Sequence, residues 1–87
     1  MKVEDVEPKD VYASAFISEL KRGAWKKQLT EMTDGTYLVE VYWFPWLFEP
    51  DRPERWEKSF KNEKKAWEVY NSLTSMRKVK KILKQVR

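Results

Sequence analysis

The 87-residue chain contains neither cysteine nor histidine. Without cysteine there are no disulfides, and without both residues the usual zinc ligands and the commonest general base are missing together. The composition therefore points away from metal-dependent or nucleophilic catalysis and toward a non-enzymatic protein that needs no cofactor. Glycine is almost as scarce. Gly23 and Gly35 are the only two, so no glycine-rich phosphate loop is present. Long apolar runs are missing too: residues 41–48 form the longest and Pro45 interrupts it, far short of the roughly 18–20 residues that span a bilayer. The polar, acidic first ten residues do not fit a secretory signal. These absences lead us to expect a soluble, intracellular, cytoplasmic protein.

What the chain does have is aromatic mass and unevenly placed charge. Five tryptophans, four tyrosines and four phenylalanines supply large rings to a core that would otherwise be short of aliphatics, each burying about 150–250 Å². At this length one small domain is expected over residues 1–87, burying roughly 60–65% of the surface its unfolded chain exposes. Residues 1–9 read as a flexible start and residues 77–87 as a basic tail. That tail carries Arg77, Lys78, Lys80, Lys81, Lys84 and Arg87 without one acid, whereas the rest of the chain holds twelve basic and fourteen acidic residues. Six like charges repel one another unless an anion meets them, so the block points to nucleic acid or to an acidic surface.

Periodicity supplies the elements. Asp10 is placed to cap a helix over 11–22, with Ala13, Phe16, Ile17 and Leu20 on one face and Gly23 just past the end; strand pairing of residues 11–16 is the alternative. Residues 25–32 and 36–44 read as strands flanking Thr33-Asp34-Gly35, a strong hairpin signal. In the second strand Tyr37, Val39, Val41 and Trp43 share one face, and Leu38, Glu40, Tyr42 and Phe44 the other. The three prolines in 45–53 make that stretch a loop. A third strand follows over 54–60, then a helix capped by Asn62 with Ala66, Val69, Tyr70 and Leu73 as its apolar stripe. Val79, Ile82, Leu83 and Val86 recur at helical spacing in the tail, with strand as the alternative. The expected fold is α+β: a three-stranded antiparallel sheet with a helix packed on one face, an N-terminal helix and a basic amphipathic C-terminal segment.

The string Trp56-Glu57-Lys58-Ser59-Phe60-Lys61-Asn62-Glu63-Lys64-Lys65-Ala66-Trp67-Glu68-Val69-Tyr70 resembles the closing motif of AP2-like DNA-binding modules, including those of the integrase N-terminal type. Phe60, Asn62 and Ala66 hold the places of the strand-ending aromatic, the cap and the first buried helical alanine. Residues 37–41 resemble the middle strand. The resemblance covers residues 23–73 and implies a sheet whose open face reads the major groove. The chain departs from the family by placing Glu40 and Glu57 on that face and by a longer, more apolar loop over 45–53.

The leading expectation is a nucleic-acid-binding accessory or regulatory protein, DNA being favoured. Arg77, Lys78, Lys80, Lys81, Lys84 and Arg87 would neutralise phosphates, with Arg55 and Lys58 extending the patch. The alternative is a small inhibitor or adaptor of mobile-element type. It would dock on an acidic partner protein through the aromatic loop 43–48, with Trp46, Leu47 and Phe48 as anchors. A homodimer through the same loop is a third expectation.

Overall fold

The computed structural model describes residues 6–46 and 54–86. Five strands, β1 (Pro8–Leu20), β2 (Gly23–Met32), β3 (Tyr37–Pro45), β4 (Arg55–Phe60) and β5 (Lys84–Val86), form one antiparallel sheet in chain order. Between β4 and β5 the chain makes two helices, α1 (Glu63–Ser72) and α2 (Met76–Ile82).

This corrects the sequence reading in two places. The segment expected as an N-terminal helix is the longest strand of the sheet, and the sheet has five strands, not three. The first error has a physical cause. Pairing of β1 with β2 shifts register between Pro8 and Asp10, between Val11 and Ala13, and between Phe16 and Ser18. Each bulge adds a residue and resets which side chains face inward, so Tyr12, Ala13 and Ile17 all reach the core cluster. A strand whose alternation restarts every few residues mimics helical spacing. The tail, expected as a helix with strand as the alternative, holds both: three of its residues, Lys84–Val86, pair with β4 after α2 has ended.

The hairpin between β2 and β3 follows from its residues. Gly35 adopts φ 85°, a conformation that disfavours any residue with a Cβ. Asp34 Oδ1 accepts from the Thr36 amide at 3.0 Å and from its hydroxyl at 2.6 Å, and these bonds hold the Asp34 carboxyl below its ordinary range. Asn62 caps α1 by accepting from the Lys65 amide at 3.1 Å, and Ser75 caps α2 by accepting from that of Lys78.

One sheet face is covered by α1 and α2. Trp25 and Leu29 of β2, Val39, Val41 and Trp43 of β3, and Trp56 and Phe60 of β4 meet Ala66, Tyr70 and Leu73 from α1 and its end, and Val79 and Leu83 from α2 and its end. Trp25 sits between Trp43 and Trp56, edge to face with both at 5.4 and 5.5 Å, a geometry worth about 0.5–1.5 kcal/mol per pair beyond area burial. Lys27 also lies on this side. Its Nζ donates to the Tyr70 carbonyl at 2.9 Å and stands 4.3 Å from the Tyr70 ring, and burial lowers its pKa.

Candidate functional site

The tail is a folded part of the core. Val79 and Leu83 are buried and Ile82 is half-buried, which fixes the rotation of α2 and turns Arg77, Lys78, Lys80 and Lys81 outward, all exposed. Leu83 ends the helix, and β5 then brings Lys84 beside Glu57 in register. Among the described residues, none of these five cations has a carboxylate within 4 Å. Lys80 instead reaches over the Trp56 ring at 6.0 Å.

The dipole of α2 sharpens the picture. Its first turn contains no acid, and Arg77 and Lys78 sit there, where the positive helix end disfavours cations. Lys80 and Lys81 occupy the last turn, where it favours them. The N-terminal pair is therefore placed against its own local stability. Beside this segment runs a shallow groove of about 550 Å³, lined by Glu57, Lys58, Ser59, Ile82, Leu83, Lys84 and Val86. It adds exposed Lys58, whose Nζ lies 5.6 Å from the Phe60 ring.

Of the expected phosphate-binding set, the fold thus brings together Arg77, Lys78, Lys80, Lys81, Lys84 and Lys58. Arg55 shares the uncovered sheet face with Lys84 but is engaged by Glu57 at 3.0 Å and Glu40 at 3.8 Å. Burial raises the Glu40 pKa, with Arg55 acting against that shift. Arg87 falls outside the described residues.

The second expected surface is different from the one read in the sequence. Trp46 is 45% exposed and follows β3, its amide donating to the Arg22 carbonyl and its indole Nε1 to the Lys21 carbonyl at 2.9 Å. Leu47 and Phe48 fall outside the described residues. Trp46 meets Phe16 edge-on at 5.9 Å, and Phe16 meets Phe44 at 6.1 Å. Lys26 Nζ stands 4.9 Å from the Phe44 ring and 5.6 Å from that of Phe16.

Phe16, Lys26, Tyr42, Arg55 and Val86 are successive register partners across all five strands on the uncovered face. Ring and cation alternate along most of that row. The next row, Ser14, Gln28, Glu40, Glu57 and Lys84, places two acids near the middle. Sequence reasoning missed Phe16 and Lys26 because it assigned one to a helix and left the other on an unassigned face. The parity of Phe44 with Tyr42 was the available signal.

Among the described residues no group of three or more acidic side chains is placed to hold a metal ion, and no helix is long and apolar enough to cross a membrane. No protein-family model, curated protein or solved structure matches the chain.

Proposed function

We propose that this is a non-enzymatic nucleic-acid-binding protein, an accessory or regulatory factor that contacts phosphates through α2 and β5. The observation that supports it is the set of five cations, Arg77, Lys78, Lys80, Lys81 and Lys84, held outward by a packed segment with no carboxylate in pairing distance among the described residues. A rigid basic surface loses less conformational entropy on meeting a polyanion than a floppy arm does. Glu40 and Glu57 on the open sheet face oppose phosphate approach there. The reading therefore rests on the helix–strand segment and not on groove reading by the sheet.

Fluorescence anisotropy with labelled single- and double-stranded oligonucleotides across a salt series tests it. Five phosphate contacts predict a log K against log salt slope of about −4 to −5 on duplex DNA. Replacing Arg77, Lys78 and Lys81 by Ala, which preserves helix propensity, should reduce that slope to about −2. Absence of binding by the folded wild type at low salt overturns the reading.

One observation favours a second reading, docking on a partner protein. Phe16, Phe44 and Trp46 are 46%, 39% and 45% exposed and mutually packed, which is the character of an interface anchor. Substituting Phe16 and Trp46 with Ser would then abolish partner capture, while the salt-dependent binding of nucleic acid stays unchanged.

A further inference from the structure

β1 is an edge strand over all thirteen of its residues. Among the described residues it pairs with β2 alone, so one side of its backbone presents amides and carbonyls with no strand to receive them. Proteins usually guard such an edge with lysine, proline, shortness or a cover. Residues 11–18 contain no charge and no proline. The bulges guard part of the strand, but Ala13, Ser14, Ala15 and Phe16 run in unbroken register. Along the same strand Val11 is 58%, Phe16 46% and Leu20 49% exposed.

We propose that this edge pairs with β1 of a second copy, antiparallel about a two-fold axis at Ser14, to make a continuous ten-stranded sheet. Two features of the strand identify the occupant as the chain itself. The residues at the axis, Ala13, Ser14 and Ala15, are small and uncharged, so Ser14 meets its own symmetry mate, and Ala13 meets Ala15 of the other copy, without repulsion or crowding.

The second feature is apolar. Once the bulge at Tyr12 is allowed for, Val11 of each copy comes beside Phe16 of the other, both on the uncovered face as the Thr30 and Lys26 register partners. Their exposed surface is covered twice over. An unrelated strand would have no reason to share this symmetry. With the axis normal to the sheet, α1 and α2 of both copies lie on one side, and the two clusters of Phe16, Phe44 and Trp46 lie on the other, flanking the axis.

Sedimentation velocity and light scattering over a concentration series test the proposal. The expected result is a concentration-dependent rise from the 10.6 kDa chain mass to twice that value. Ser14→Lys and Ser14→Asp each place like charges against themselves at the axis and should weaken self-association by roughly tenfold or more. An equimolar mixture of the two variants should restore the dimer, since opposite charges then meet. A wild type that stays monomeric throughout overturns the proposal. So does a dimer indifferent to both substitutions, or a mixture that stays monomeric. Hydrogen exchange on the wild type gives an answer independent of variant folding. Amides within residues 13–16 should gain protection as concentration rises, and constant fast exchange there refutes the pairing.

Discussion

The two edges of this sheet solve the same problem in opposite ways. At one end β5 is three residues long, carries one lysine and follows α2, which holds four of the tail's cations. At the other, β1 is thirteen residues long and uncharged over its middle, and no other described element pairs beyond it. Shortness and Lys84 discourage strand addition at the first edge; over the middle of the second only the bulges do. The contrast teaches that surface chemistry in this small fold is divided by position. The proposed polyanion contact falls at the guarded edge, and the proposed strand pairing at the unguarded one.

The division can be broken from either side. The largest effect is expected at the guarded edge, where Leu83 is 6% exposed and anchors the junction of α2 with β5. Leu83→Ala should cost about 2–4 kcal/mol of stability by leaving a cavity. It should also loosen the basic segment, so chemical denaturation and nucleic-acid affinity should fall together.

A smaller effect is expected at the corner that holds β1 against the rest. A Cβ added at Gly23 would lie 2.6 Å from the Phe44 carbonyl oxygen and 2.9 Å from the Pro45 Cα. These are backbone atoms that cannot swing aside. Gly23→Ala should cost about 1–3 kcal/mol, read as a lower melting temperature. The affinity of the intact folded fraction for nucleic acid should be unchanged.

The smallest effect concerns Tyr12, which ties β1 to β2 by donating to Glu31 Oε1 at 2.8 Å. That hydrogen bond, with burial and the Glu31 charge, pushes the Tyr12 pKa up to about 12 from 10.0. The folded state thus holds a proton that the unfolded chain releases first. The stabilisation is fully present below pH 10.0 and is lost as pH rises through about 12. Tyrosinate absorbance alongside denaturant melts of the wild type and Tyr12→Phe will show it. The variant should lack this part of the alkaline loss of stability, and identical alkaline profiles for the two proteins would remove Tyr12 as its source.

Much of this architecture was legible where local signals agree with the final packing. Asp34-Gly35 marked the β2–β3 turn, period-two alternation separated Val39, Val41 and Trp43 from Leu38, Glu40 and Tyr42, and Asn62 announced α1. β1 was hidden because its bulges scramble that alternation. β5 was hidden because Leu83 and Val86 continue the spacing of Val79 and Ile82 into a segment that has left the helix.

The candidate site divides in the same manner. The tail cations form a cluster in sequence and remain one in space, since α2 and β5 are contiguous. Arg55 is engaged by Glu40, a residue on the adjacent strand, and no spacing along the chain encodes such a partner. The ring cluster unites Phe16, Phe44 and Trp46 through the order of strands, which is likewise invisible until the sheet is drawn.

Lys27 carries a consequence for how the molecule comes apart. The last turn of α1 contains no basic residue of its own, and the ammonium that meets its Tyr70 carbonyl arrives from β2, 43 positions earlier in the chain. The sheet beneath this helix therefore shares with the Leu73 amide in capping its end. Its ten residues are also fewer than the roughly 12–15 an isolated helix needs to persist in water. Sheet and helix have no separate existence to fall back on: α1 has no melting transition of its own, and losing β2 means losing the helix in the same step.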